Sequence, residues 1–229
     1  MSLAGKRVAV TGAFGSLGAA VVQAALAGGA RVAAIDRADA PQADVDLGAA
    51  ERFGGVDLAD TAAAKTTIDA AAKALGGLDA LVNIAGTFRF ETLSEGGAET
   101  FDLLYRINLR TAVAASKAAL AHLPDEGRII NIGAAAALKA GAGMGAYAAS
   151  KSGVMRFTES LAEELKPRGI TVNALLPSII DTPPNRKDMP KANFDKWVKP
   201  AQLADVIVFL LSGQASAITG ALIPVVGRV

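Results

Sequence analysis

Apolar and polar residues form alternating blocks along the chain, and the blocks differ in length and in period. Short apolar runs predict strands near 6–11, 31–36, 52–56, 79–83, 127–132, 169–175 and 221–226. Longer segments of helical character predict helices near 17–28, 60–75, 97–121, 145–166 and 200–212. Strands that alternate with helices form βαβ units and a parallel sheet. The pattern therefore predicts an α/β fold with one doubly wound parallel sheet of about seven strands and helices on both faces.

One segment, 183–200, departs from this alternation. It is polar, bounded by prolines, and contains the only tryptophan of the chain. We expect a substrate-covering loop with a short helix there, and a mobile surface connection is the alternative. The charged run within it, 186–191, is predicted to be solvated loop rather than a substrate-gripping cluster. With 229 residues, 52% of them hydrophobic, the chain is long enough to bury both faces of the sheet as a single domain, 1–229.

The first predicted strand runs into closely spaced glycines at Gly12, Gly15 and Gly18, and the second ends at Asp36. This strand, turn, helix and strand layout is typical of dinucleotide binding. Gly12 permits a sharp turn, Gly15 lets backbone amides approach a pyrophosphate, and Gly18 lets the helix pack closely on the sheet. Asp36 is placed to accept hydrogen bonds from the adenosine ribose.

A second pair of residues suggests acid/base chemistry. Tyr147 and Lys151 lie in a predicted helix, about one turn apart, and therefore leave the same face. A lysine ammonium beside a phenol stabilises the phenolate, so we expect the pKa of Tyr147 to fall from about 10 towards neutrality. Tyrosine would then exchange protons with a substrate without histidine, cysteine or metal.

Together these two signals resemble the short-chain dehydrogenase/reductase family over essentially the whole chain. By this resemblance Asn108 anchors a proton-relay water, and Tyr147 and Lys151 also touch the cofactor. The resemblance implies an NAD cofactor, with NADH preferred and NADPH possible. It also implies further cofactor contacts at Ser16, Leu17, Arg37, Asp57, Leu58, Asn83, Ala85, Gly86, Pro177, Ile180 and Thr182. The segment 173–183 resembles the part of the family that cradles the nicotinamide, with Ile180 and Thr182 at the contacting positions.

The chain also departs from the usual family pattern. Ala134 occupies the position of the substrate-holding serine, Ile84 and Ser178 replace a common asparagine and glycine, and Ser16 stands at the middle glycine site. The glycine spacing, Ala134 and the 181–197 segment resemble the dihydropteridine reductase branch. This branch implies substrate contacts at Phe88, Ala134, Asn185 and Trp197.

Composition excludes several classes of partner. The net charge is +1, with no basic cluster interleaved with aromatic residues, so nucleic-acid binding has no electrostatic footprint. There are no cysteines, and no ligand cluster for a metal is evident. The N-terminal MSLAGKRVAV lacks a signal-peptide core, and no apolar run approaches membrane-spanning length, so a cytoplasmic protein without a membrane partner is expected.

The leading hypothesis is an NADH-dependent reductase of a small planar conjugated substrate such as a quinonoid dihydropteridine, with Tyr147 as proton donor. The alternatives are a carbonyl reductase or alcohol dehydrogenase on another small substrate, and an NAD-binding regulator that has lost catalysis. The family resemblance also implies a homodimer or homotetramer formed through the 97–121 and 145–166 helices.

Overall fold

A computed structural model describes residues 1–43 and 45–229. Seven strands form one parallel sheet in the order β3-β2-β1-β4-β5-β6-β7, so successive strands are added on one side of β1 up to β3 and on the other side from β4 onward. The prediction of a doubly wound parallel sheet is confirmed. The strands are β1 Arg7–Thr11, β2 Arg31–Ile35, β3 Glu51–Phe53, β4 Ala80–Asn83, β5 Arg128–Ile132, β6 Thr171–Pro177 and β7 Leu222–Val225.

Helices cover both faces of the sheet. Helices α1 and α7 pack together with one face, and α2, α4 and α5 supply the core of the other. The central strands β4, β5 and β6 are buried along their whole length, as parallel strands between two helical layers must be. The helices are α1 Ser16–Ala27, α2 Thr61–Leu75, α3 Ala98–Leu104, α4 Thr111–Ala119, α5 Gly145–Leu165, α6 Pro183–Asp188 and α7 Pro200–Leu211.

The single helix predicted over 97–121 is interrupted. Between α3 and α4 the backbone forms a π-helix over Tyr105–Arg110, which contains the buried Asn108. A π turn widens the helix and shifts the side chains beyond it, and such turns often occur at functional sites. The apolar period of the sequence does not reveal this, because the local shift leaves an amphipathic pattern on either side.

The segment after β6 contains the predicted short helix. Pro183 and Pro184 begin α6, where a missing N–H and a fixed φ are favourable. Trp197 follows a turn of 3₁₀-helix, and Val198 pairs with Ile180 in a β-bridge. Ordered backbone pairing therefore ties the end of this segment to the end of β6.

In the described ranges, no helix combines the length and apolar character needed to cross a membrane. The same residues contain no group of three or more His, Cys, Asp or Glu side chains placed to hold a metal ion.

Candidate active site

A cavity of about 490 Å³ opens at the carboxyl ends of β1 and β4, where the strand order reverses. Open α/β sheets bind their ligands at this switch point. Ten of the predicted cofactor residues line the cavity: Gly12, Gly15, Leu17, Gly18, Asp36, Arg37, Asp57, Leu58, Ala85 and Gly86. Other residues also line the cavity but were not predicted from the sequence. They include Phe14, Val56, Thr87, Ile107 and Thr111. None of them is part of a motif that marks it as a cofactor contact.

The glycine loop has the geometry that its sequence predicted. Gly12 adopts a φ of +65°, which L side chains rarely do. A Cβ on Gly18 would lie 2.1 Å from the Gly12 carbonyl oxygen, so only glycine permits this approach of α1. Gly15 is exposed at the N-cap of α1, and Ser16 is the first residue of that helix. The first backbone amides of the helix are therefore available to an anion.

Asp36 directly follows β2 at the rim of the cavity. Its Oδ2 accepts a hydrogen bond from the Phe14 amide at 2.9 Å, and its Oδ1 accepts one from the Ala38 amide at 3.0 Å. Two backbone donors thus fix the orientation of the carboxylate. Arg37, next in sequence, is exposed and also lines the cavity.

The side chains of Asp57 and Asn83 already have hydrogen-bond partners within the protein. Asp57 Oδ2 accepts from Arg106 Nη2 at 2.7 Å. The buried Asn83 amide donates to Ser116 Oγ at 3.0 Å and to Asn131 Oδ1 at 2.9 Å. Asp57 nevertheless lines the cavity, and cofactor contact by Asp57 and by Asn83 stays a prediction.

The amide of Asn108 joins the cavity wall to the helix that carries Tyr147. Its Oδ1 accepts from the Thr87 amide at 2.7 Å, and its Nδ2 donates to Ser150 Oγ at 2.9 Å. Ser150 Oγ in turn donates to the Tyr147 carbonyl oxygen at 2.8 Å. Ser150 is a residue whose role the sequence did not reveal. The chain of contacts sets the position of α5 relative to the cavity.

Gly86 completes this junction. A Cβ added there would lie 2.9 Å from Asn108 Oδ1 and 3.3 Å from Lys151 Nζ. The lysine ammonium therefore lies beside the wall of the cavity, although its residue is buried with only 5% of its surface exposed. Glycine at this position keeps the approach to both polar groups open.

The expectation that Lys151 lowers the pKa of Tyr147 is wrong for the protein by itself. Burial raises the pKa of Tyr147 to about 12. Burial also lowers the pKa of Lys151 to about 8, since an ammonium is poorly solvated in the interior. Lys151 Nζ donates to the Ile132 carbonyl oxygen at 2.8 Å, so this donor is directed at the end of β5. Because the pKa of Tyr147 is about 12, its phenol is protonated at neutral pH.

Tyr147 has an aromatic neighbour, and the position of the usual serine holds an alanine. The rings of Phe88 and Tyr147 meet edge to face with their centroids 4.9 Å apart. Ala134, two residues beyond β5, is extended and 4% exposed, and it offers only a methyl group at the position of the usual serine. Phe88 therefore lies against the proposed proton donor, and its contact with a substrate stays a prediction.

Comparison with known proteins identifies this arrangement. A model of the short chain dehydrogenase family matches residues 6–193. The chain belongs to this family. Its members are oxidoreductases that depend on NAD(P), and the glycine loop and the cavity at the switch point fit a dinucleotide.

Relatives of this short-chain dehydrogenase act on several substrates. The chain is 32% identical to 2-(S)-hydroxypropyl-CoM dehydrogenase 3 of Xanthobacter autotrophicus, covering 96% of this chain and 94% of the relative. It is also 32% identical to the 3-oxoacyl-[acyl-carrier-protein] reductase FabG of Vibrio cholerae, covering 96% and 95%.

Two solved structures show the same architecture. A blue fluorescent protein from a metagenomic library, in complex with NADPH, has a TM-score of 0.89 and 34% identity and covers 100% of this chain and 99% of its own. The 3-ketoacyl-(acyl-carrier-protein) reductase of Brucella melitensis, complexed with NADH, has a TM-score of 0.86 and 29% identity, covering 99% and 98%.

In this dehydrogenase the predicted nicotinamide segment leaves the end of β6 at Pro177. Thr182 caps α6, and the Asn185 side chain donates to the Ile180 carbonyl oxygen at 2.7 Å. Trp197 is 5% exposed and packs against Phe194. These contacts favour a packing role for Asn185 and Trp197 over the predicted substrate contact.

Proposed function

We propose that this chain is an NAD(P)H-dependent reductase of a planar conjugated acceptor, such as a quinonoid dihydropteridine, with Tyr147 as the proton donor. The observation that carries the proposal is the aromatic contact at the phenol, where the half-exposed Phe88 ring meets Tyr147 edge to face. Ala134, at the position of the family's serine, supplies a buried methyl group in place of a hydroxyl. A flat, conjugated substrate can stack on such a ring without needing a hydroxyl donor at position 134.

The energetic argument concerns where negative charge develops. Reduction of a simple ketone concentrates charge on one oxygen, and losing one donor at such an oxygen costs about 2.7–4 kcal/mol. A conjugated acceptor spreads the incoming charge over its ring, so the missing hydroxyl at Ala134 costs less. An enzyme that keeps the tyrosine, lysine and asparagine while lacking the serine therefore fits a delocalised acceptor.

A nicotinamide dinucleotide, when bound, supplies the hydride. The residues of the chain then supply the proton, bind the cofactor and position the helix that carries Tyr147. Tyr147, with its pKa raised to about 12 by burial, retains the proton that reduction consumes. Lys151 presents its ammonium beside Gly86, where it can hold the nicotinamide ribose. Asn108 holds α5 against the cavity wall through Thr87 and Ser150.

We also infer that NADH is preferred over NADPH. The carboxylate of Asp36 is oriented by two backbone amides at the rim of the cavity, where the adenosine ribose would lie. A 2′-phosphate beside it would bring like charges together, at a cost of several kcal/mol. Arg37 is the residue that would offset this repulsion, because it lines the same cavity.

A second candidate is reduction of an ordinary carbonyl. It is favoured by the relatives, since a protein 32% identical to this chain is named a 3-oxoacyl-[acyl-carrier-protein] reductase. In that case Tyr147 would have to stabilise the developing oxyanion without the family's serine. The two candidates differ in the acceptor that the same cofactor and tyrosine serve.

Self-association is the further part of the proposal. Phe101, Tyr105 and Val113 are 41%, 56% and 38% exposed along the α3 to α4 helix. Several exposed large apolar side chains within one helical segment, 98–119, favour an interface there. We propose that this helix and α5 pair in a homodimer or homotetramer.

The test is a panel assay that follows NADH and NADPH absorbance with quinonoid dihydropteridine and with simple ketones. We expect faster turnover of the pterin with NADH. Tyr147→Phe should lower that turnover by about 10²–10⁴ while leaving NADH binding unchanged, because only the acid is removed. Tyr105→Phe, at the only other tyrosine, is the matched control. Efficient ketone reduction without pterin reduction would establish the carbonyl candidate instead.

A further inference from the structure

The segment that follows β6 is held to itself by a stack of charged and aromatic side chains. Arg186 makes a two-pronged ion pair with Asp181, with Nε to Oδ1 at 2.5 Å and Nη2 to Oδ2 at 2.8 Å. The guanidinium carbon lies 4.8 Å from the centroid of the Phe194 ring. Phe194 in turn packs on Trp197, with centroids 4.8 Å apart. We call Asp181, Arg186 and Phe194 the latch.

We propose that Arg186 is a positioning residue: the latch holds the backbone of Ile180 and Thr182 in the conformation that receives the nicotinamide half of the cofactor. This inference rests on the proposed function, together with the nicotinamide contacts that the family resemblance implies for Ile180 and Thr182. It adds a residue that neither the glycine loop nor the tyrosine and lysine pair includes.

The geometry of the latch requires arginine. Its planar guanidinium meets the carboxylate edge-on with two donors while one face is covered by an aromatic ring, and the compact ammonium of lysine cannot make both contacts in this geometry. Asp181 is only 11% exposed at its side chain, whereas Arg186 is 52% exposed. The arginine hydrogen bonds hold the pKa of Asp181 below its usual range, so the carboxylate stays charged near neutral pH. Most exposed ion pairs contribute little to folding stability, but a two-pronged pair also restricts the relative orientation of its two side chains.

The latch adjoins the residues that the family resemblance assigns to the nicotinamide. Asp181 N donates to the Val198 carbonyl oxygen at 2.8 Å, and Val198 N donates to the Ile179 carbonyl oxygen at 3.0 Å. Asn185 Nδ2 donates to the Ile180 carbonyl oxygen at 2.7 Å. The backbone of 179–182 is thus bonded on both sides, and Asp181 is the point where the side-chain stack reaches it.

The first measurement is limited proteolysis with trypsin, which does not depend on activity. Cleavage after Lys191 is followed, because that site lies between Arg186 and Phe194 and is kept in every variant. Arg186→Gln and Asp181→Asn should each be cut there at least tenfold faster than the parental protein. Lys187→Gln, which removes the neighbouring charge of α6, is the control and should be cut at the parental rate. Unchanged cleavage in Arg186→Gln and Asp181→Asn would overturn the latch.

The second measurement compares NADH with ADP-ribose, which lacks nicotinamide. If the latch positions 180 and 182, Arg186→Gln should weaken NADH binding about tenfold and leave ADP-ribose binding unchanged. Arg186→Lys should resemble Arg186→Gln, because charge alone does not restore the two-pronged contact. Faster cleavage with unchanged NADH binding, or equal weakening of both ligands, would refute the positioning role. A parental protein that binds neither ligand would defeat the proposed function, while the proteolysis would still decide whether the latch exists.

Discussion

The Phe88 ring meets the Tyr147 ring edge to face, with centroids 4.9 Å apart and an interplanar angle of 81°. This contact links the segment after β4 to the helix that carries the proposed proton donor. Phe88 is 53% exposed, so one side of its ring covers the tyrosine while the other remains open. The pair therefore shields the phenol from water, and the open side of Phe88 is the aromatic surface that we propose for the substrate.

Removing that ring should lower the pKa of Tyr147. Burial raises this pKa to about 12, so Phe88→Ala, which admits water, should bring it back towards 10. Ultraviolet titration of tyrosinate in a Tyr105→Phe background isolates the signal, since the chain has only two tyrosines. Phe90→Ala, a more exposed phenylalanine that lies over Gly143, is the control. An identical titration of the Phe88→Ala and Phe90→Ala proteins would show that Phe88 does not shield the phenol.

Lys151 should cost the protein stability at neutral pH. Burial lowers its pKa from 10.5 to about 8, so between these values the unfolded chain binds a proton that the folded chain has released. Stability then rises with pH in this window and is lost as pH falls through 8. Below pH 8 the whole cost of the buried charge is present, on the order of 3 kcal/mol.

Lys151→Met should therefore stabilise the protein at pH 7 by about 1–3 kcal/mol, after allowing for the lost hydrogen bond to the Ile132 carbonyl. The gain should shrink at pH 9.5, where the native lysine is largely neutral. Urea unfolding of the parental and Lys151→Met proteins at the two pH values measures the gain at each pH. Because Tyr147 titrates at higher pH, the comparison stays below 10. A gain of equal size at pH 7 and pH 9.5 would mean that charge burial is not the cause.

Asp36 should decide between the two dinucleotides. NADH should stabilise the parental protein against heat more than NADPH at matched concentration. Asp36→Asn keeps the shape and removes the charge, so it should improve NADPH binding by at least about tenfold, part of the several kcal/mol that like charges cost. Asp39→Asn, at an exposed carboxylate nearby in sequence, is the control and should change neither NADH binding nor NADPH binding. Equal stabilisation of the parental protein by both cofactors would contradict the inferred preference.

Ala134 separates the two candidate functions. Ala134→Ser should leave pterin reduction unchanged or weaken it by crowding, because the delocalised acceptor needs no donor there. For a simple ketone it should raise kcat/KM. The largest gain expected is the factor that corresponds to about 2.7–4 kcal/mol of transition-state stabilisation. Ala136→Ser, in the following turn, is the matched control. A parental enzyme that already reduces ketones well, with no gain in Ala134→Ser, would defeat the argument from substrate choice.

The order of strands and helices followed from local pattern. Continuous apolar runs, glycine punctuation and helical spacing are properties of neighbouring residues, and they predicted the seven strands and the long helices. The roles of Gly12 and Gly18 were equally local, because a left-handed turn and a close helix approach leave glycine as the residue that fits. The π turn around Asn108 was missed, since a single widened turn hardly disturbs the amphipathic pattern.

The chemistry of the site depended on contacts between residues far apart in the chain. The spacing of Tyr147 and Lys151 placed them on one face, but burial decided the direction of their pKa shifts, and the Tyr147 shift is opposite to the one expected from charge alone. Likewise, the run around Arg186 looked like solvated loop, and only the folded chain brings its guanidinium onto Asp181 and Phe194. Sequence by itself determined which groups are present and which strand ends they follow. Tertiary structure decided which of them meet and how much water they keep, because desolvation depends on every element packed around a group.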